Sequence, residues 1–450
     1  MTSRTPTTRI AALAWPILIG QLALIANGVI DTTMAARFSA IDLAALALGV
    51  SIYVSIFVGL SGVMQALLPT IGQLAGAQRF AAIGAEVKQG LWLALILSIV
   101  GGVVLLFSPA FLQLSHIGPE LQAKTGLYLQ IQVLALPATL LFRVYAALNT
   151  ALLRPKMVMA IQIVALALKV PLNALFVFGG LGIPALGGPG CALASTLIAW
   201  LMALIAWALV YRFPFYRQLH LFGSGFVWPQ WKTLSTLLKL GIPMGMSYFI
   251  EVTAFTLMAI FIARLGPLAL GGHQIAANMG TVLYMLPLSI ASATGTLVAQ
   301  AIGAGNPVLA RHIGNAGIRL AALLSVLVGL LVWLGREAII RAYTPDAAII
   351  AAALPLFVYI GFYQLFDSVQ VTAAFILRAY KVALVPTLIY ALALWGIGLG
   401  GGYLLGLDPY HLSPPMWQGA AGFWLGNSAS LGLVAISLLY YLRRVQRRTV

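Results

Sequence analysis

The chain has 450 residues, 62% hydrophobic and only 8% charged, with a mean hydropathy of +1.01, a balance that excludes a soluble globular domain. A formal net charge of +16 would suggest nucleic acid in a soluble protein, but here the Lys and Arg residues mark the ends of apolar runs, so the expected partner is the lipid bilayer and no nucleic acid. The single cysteine, Cys191, excludes an intrachain disulfide.

In chain order the apolar runs cover residues 8–34, 43–72, 89–113, 122–148, 157–178 and 189–211, then 235–263, 268–301, 313–334, 347–375, 383–406 and 416–442. Each supplies the ~20 residues a helix needs to cross a bilayer, and none shows the alternation of a barrel strand. The first run follows Arg4 and Arg9 and so begins like a signal peptide, but it is too long for one and lacks a clear cleavage site; it is expected to stay as a helix. Between the sixth and seventh runs, a segment with Trp228, Trp231 and several basic residues is expected to be a cytoplasmic connector lying partly in the headgroup region.

The halves repeat. Pro16 falls on Pro243, Arg37 on Arg264, and QLAGA (Gln73–Ala77) on QAIGA (Gln300–Ala304); in a second block Phe142 falls on Phe366, Arg143 on Asp367 and Arg154 on Arg378. The expected fold is an all-α integral membrane protein of twelve transmembrane helices in two six-helix bundles, related by a pseudo-two-fold axis along the membrane normal: residues 1–211, the connector 212–234, and residues 235–450. With both termini placed in the cytoplasm, 18 of the 25 Lys and Arg residues fall on the inner side, which sets the expected orientation. A bacterial-type inner membrane is the expected location.

Of the nine acids, Asp42, Glu86, Glu120, Glu337, Asp346 and Asp408 sit in or near loops, whereas Asp31, Glu251 and Asp367 do not. Glu251 lies ~18 Å along its helix from Lys239 and Asp367 ~16 Å from Arg378, so both are near mid-membrane; Asp31 belongs to the outer part of the first half. A charged carboxylate there costs roughly 2.5–3.5 kcal/mol, while holding it protonated at neutral pH costs ~4 kcal/mol or less. With the two costs so close, a proton, a sodium ion or a cationic ligand can toggle the group. Arg143 and Lys169 are the bases inside helices; they could pair with the acids to hold helices together, yet two bases cannot pair with three acids.

Tyr363 precedes Asp367 by four residues and Phe255 follows Glu251 by four, each one turn from its acid, where a phenol oxygen or an aromatic face helps hold a desolvated cation. Gln274 and Asn278, four apart, read as interhelical hydrogen bonders and second-rank cleft residues. The chain has no Gly-Lys pair, hence no phosphate loop of the Walker type. GLSG (Gly59–Gly62) with His273 is too weak a pattern for an intramembrane protease, and its serine reads as a small packing residue; no enzyme and no cofactor are expected. Acids outnumber bases within the helices three to two, which favours cationic cargo over the alternative, a flippase of a lipid-linked precursor.

GVIDTTMAARFSAIDLAALALG (Gly28–Gly49), GIPMGMSYFIEVTAFTLM (Gly241–Met258), GGHQIAANMGTVLYMLPLS (Gly271–Ser289), VAQAIGAG (Val298–Gly305) and FYQLFDSVQV (Phe362–Val371) resemble the multidrug and toxic compound extrusion (MATE) family, NorM-like branch, over about residues 10–440. The resemblance implies a monomeric antiporter that exports amphipathic, mostly cationic compounds (drugs, dyes) by alternating access in exchange for Na+ or H+. It implies a cation site at Glu251, Asp367 and Tyr363, where Na+ could bind, with Phe255 and Tyr284 as aromatic neighbours. In the first half it implies a site at Asp31 near Asn173 and Ser195, and a cleft lined by Ser51, Gln274 and Asp346. Relatives with a full first-half site carry an Asp one turn after the asparagine, whereas this chain has Val177.

Overall fold

The structure, a computed structural model, describes residues 5–114, 118–180, 182–222, 227–411 and 413–449; Arg4, which precedes the first apolar run, lies outside them. Among the described residues twelve helices are long and apolar enough to cross a membrane: α1 Pro6–Phe38, α2 Ala40–Gly76, α3 Phe80–Phe107, α4 Pro119–Ala151, α5 Pro155–Val177, α6 Gly188–Arg212, α7 Trp231–Ala263, α8 Pro267–Gly303, α9 Pro307–Leu334, α10 Ala347–Ala379, α11 Leu384–Gly406 and α12 Ala420–Arg448. Each overlaps one expected run. The protein is therefore all-α, multi-pass and integral to a membrane. α12 starts later than expected because Pro415–Trp417 form a separate 3-10 turn. Several helices start on proline (Pro119, Pro155, Pro267, Pro307), where the missing N–H would have no helical partner anyway.

Two compact units result: Ile19–Gly245, and Met246 onward together with α1 up to Leu18. α1 and α7 are thus each shared, and each changes unit just past an internal proline, Pro16 and Pro243, the pair that the repeat superposes. A proline inside a helix removes a backbone bond and bends it, which fits a helix that serves two units.

In the first unit α4 is central, touching α2, α3 and α6. Asp42, near a loop as expected, is fully buried at the start of α2: it accepts from Ser39 Oγ (2.5 Å), Lys124 Nζ of α4 (2.7 Å) and the Gly188 N–H of α6 (2.7 Å). One carboxylate so ties three helix starts. The connector is held too: Tyr216 of the 3-10 turn Pro214–Leu219 donates to Asn149 Oδ1 at 2.6 Å, and Arg154 stacks over Phe215 at 3.4 Å.

In the second unit α10 is central, against α8, α9 and α12. α11 and α12 meet along glycines: a Cβ on Gly426 would come within 2.7 Å of the Gly402 nitrogen, and one on Gly422 within 2.7 Å of the Gly406 nitrogen. Glycine at these positions lets the two backbones approach as closely as small-residue packing allows. α11 carries a π-helical stretch, Ala391–Leu399, directly after Tyr390.

Candidate functional site

In the second unit α7, α8, α10 and α11 bring the expected cation-site residues together. Asp367, only 4% exposed, accepts from Gln370 Nε2 at 2.8 Å, and Gln370 Oε1 accepts the Tyr390 hydroxyl from α11. The Glu251 carboxyl lies close to Gln370, Tyr390, Asp367 and Arg378. An amide therefore links the Asp367 carboxyl to a phenol of another helix, and the Glu251 carboxyl, on a third helix, lies beside them. Asp367 Oδ2 and the Tyr284 hydroxyl are buried with no hydrogen-bond partner among the described residues. Both are oxygens of the kind a hard cation takes up.

The aromatic neighbours also meet. Phe255 contacts Tyr363 (ring centroids 6.1 Å), and both contact Trp424 (6.0 and 5.7 Å); His273, 1% exposed, closes the group 5.9 Å from Trp424. Trp424 and Tyr390 escape the sequence reading because neither stands one turn from an acid; Gln370, three residues after Asp367, does, and that spacing was the available signal. Arg378, expected at an inner loop, is instead 8% exposed in the last turn of α10, donating to the Tyr248 hydroxyl at 3.0 Å and stacking over Phe375 at 4.8 Å.

In the first unit Asp31, Asn173 and Ser195 also converge, around a residue that the cation-site reading left out. Lys169 Nζ lies 2.8 Å from Asp31 Oδ1 and 2.5 Å from Ser195 Oγ, and Asn173 Nδ2 donates to the same Asp31 oxygen at 2.7 Å. Asp31 is thus ion-paired. Arg143 has its guanidinium over the Phe57 ring at 5.4 Å.

The remaining cleft residues do not join either cluster. Ser51 is exposed and bonds back to Ala47 O at 2.8 Å. Gln274 and Asn278, expected to bond between helices, bond to each other at 3.2 Å on an exposed face of α8, because i,i+4 spacing already satisfies the pair. Asp346 is an exposed helix cap, accepting from the Ala348 N–H at 2.8 Å at the start of α10.

Comparison with known proteins agrees with this architecture. The family model MatE matches residues 16–175 and 243–404, once in each half. The chain is 40% identical over 438 residues to the probable multidrug resistance protein NorM of Aromatoleum aromaticum, covering 97% of this chain and 93% of that one. It is 36% identical over 448 residues to the multidrug resistance protein PmpM of Pseudomonas aeruginosa, covering 99% and 93%. Among solved structures, an outward-facing multidrug resistance MATE family transporter of the MOP superfamily superposes with a TM-score of 0.88 over 99% of this chain and 97% of that one, at 15% identity, a likeness of fold. With both halves matched and curated relatives aligned end to end, the chain belongs to the multidrug and toxic compound extrusion (MATE) family, in the company of its NorM members.

Proposed function

We propose that this protein is a multidrug efflux antiporter that exports amphipathic, mostly cationic organic compounds by alternating access in exchange for a cation. The observation that carries this reading is the cluster of Glu251, Gln370, Tyr390 and Asp367, two neighbouring carboxyl groups inside membrane-spanning helices with neutral polar groups between and beside them. Two carboxylates in a low-dielectric setting repel each other, and a bound cation relieves that repulsion. The cargo class is supported by the multidrug names of the relatives and by the Phe255, Tyr363 and Trp424 rings, whose faces attract a desolvated organic cation.

Each residue has a role in the cycle. Gln370 holds one Asp367 oxygen, Tyr390 orients Gln370, and Asp367 Oδ2, Glu251 and the Tyr284 and Tyr363 hydroxyls remain as ligands. Several oxygens around two carboxyl groups suit sodium as the coupling ion, with the proton as the alternative that the experiment separates. The protein acts as a monomer in the inner membrane with both termini in the cytoplasm, as the distribution of Lys and Arg supports. It has no catalytic role and needs no cofactor besides the coupling cation.

The test uses proteoliposomes of known orientation, with sodium and proton gradients imposed separately and the membrane potential clamped, while efflux of a fluorescent cation is followed. An inward sodium gradient alone is expected to drive export, and Glu251→Gln and Asp367→Asn to abolish it while inserting normally. Equal transport on a pH gradient in sodium-free buffer would make these carboxylates proton carriers. Active efflux by either amide variant would overturn the site.

A further inference from the structure

The polar cluster of the first unit is built around a cation that the chain itself carries. Lys169 on α5 is 2% exposed, and its ammonium reaches Asp31 of α1 at 2.8 Å and Ser195 of α6 at 2.5 Å. Asn173, one turn beyond Lys169, donates to the same Asp31 oxygen while its own Oδ1 is buried with no partner among the described residues. Asn27, one turn before Asp31, also has its Oδ1 buried and unpartnered among them. Carboxylate, hydroxyl and amide oxygens from three helices are the donor set a hard cation uses. The positive charge among them is Lys169 Nζ, a tetrahedral donor.

We propose that Lys169 is a tethered cation filling the acidic site of the first unit, so that Asp31 takes up neither a coupling ion nor a cationic drug and exchange runs through Glu251 and Asp367 alone. The charge count supports this. Asp31 contributes one negative charge, Val177 stands fully buried one turn past Asn173 and adds none, and Lys169 cancels the one there is. The Cys191 thiol, 3.7 Å from the Asp31 carbonyl oxygen, and the buried Tyr128 phenol are the neutral groups nearby. A free cation arriving at Asp31 would displace the ammonium into a buried setting without a counter-ion, a costly exchange.

This inference deepens the antiport reading, but its first test does not depend on transport. Lys169→Ala leaves a carboxylate facing a space the size of the lost side chain, and ethylammonium is the probe. Added ethylammonium is expected to raise the melting temperature of purified Lys169→Ala in a saturable way. The wild type and the Asp31→Asn/Lys169→Ala double variant are expected to show no rise. A rise shared by all three proteins, or absent from Lys169→Ala, would overturn the proposal.

The second test decides the case even if Lys169→Ala does not fold. The neutral pair Asp31→Asn/Lys169→Met is expected to keep cation-driven efflux within about twofold of wild type. Loss of driven efflux by this variant, with normal expression and melting, would make Asp31 a coupling carboxylate and overturn the proposal. Failure of the antiport reading itself looks different: the wild type would then show no cation-driven efflux, while the ethylammonium result would stand.

Discussion

Gln370 donates to Asp367 across one turn of α10 at 2.8 Å, while its other end accepts the hydroxyl of Tyr390 from α11. An amide bonded at both ends has only one orientation available, so a tyrosine on a neighbouring helix fixes how the carboxylate is presented. Tyr390→Phe keeps the ring packing but leaves Gln370 Oε1 without that donor, a loss of about 1–3 kcal/mol. The expected outcome is a roughly tenfold weaker apparent affinity for the coupling cation with normal amounts in the membrane, read from initial efflux rates against cation concentration.

Asp42 and Lys124 are the structural counterpart. Asp42 is fully buried but keeps the Ser39 and Gly188 donors, and Lys124 is partly exposed, so Lys124→Met is expected to destabilise the protein by about 1–3 kcal/mol. The double variant Asp42→Asn/Lys124→Met restores neutrality and is expected to recover most of that loss. Thermal melting in detergent checks both, and the surviving folded protein should transport normally per molecule.

The glycine seam between α11 and α12 gives a steric prediction. A Cβ at Gly426 meets backbone atoms of Gly402 at 2.7 Å, closer than real Cβ contacts, and backbone cannot move aside as a flexible side chain can. Gly426→Leu is therefore expected to prevent accumulation of folded protein, and Gly426→Ala to lower the melting temperature. Wild-type melting of the alanine variant would show that the helices can separate freely.

Much of this was legible in the chain. The twelve helices follow from runs of apolar residues because lipid leaves a backbone no other way to satisfy its polar groups, and Glu251 and Asp367 stand out because ionisable residues are rare in such runs. The depth of each acid came from helical rise, and Tyr363 and Phe255 from one-turn spacing. Partnership between helices was not legible. Lys169 was visible as a base inside a helix, but its choice of Asp31, and the linking of Gln370 to Tyr390, depend on how separate helices are rotated and set in register against each other. Asp42 shows the same limit at a helix start, where sequence position near a loop gives no sign of complete burial.

The connector between the units' helices offers a test of both packing and orientation. Gln89 of α3 is 2% exposed and holds it from two sides, donating to Trp228 O at 3.1 Å and accepting from the Gln230 N–H at 2.7 Å, while Trp92 donates to Val227 O at 2.9 Å. These bonds satisfy backbone groups of a segment that has no regular structure to satisfy them, and so keep it down on α3. Removing both Gln89 bonds lowers the cost of local opening, and proteolysis samples the open population. Gln89→Ala is therefore expected to speed tryptic cleavage near Arg212, Arg217 or Lys232 by roughly thirtyfold, since each of the two lost bonds is worth about 1 kcal/mol. In sealed vesicles the cleavage should occur only when the cytoplasmic face is accessible to trypsin. Cleavage from the opposite face would reverse the orientation drawn from the Lys and Arg residues, and an unchanged rate would mean that Trp92 and the surrounding contacts hold the connector without Gln89.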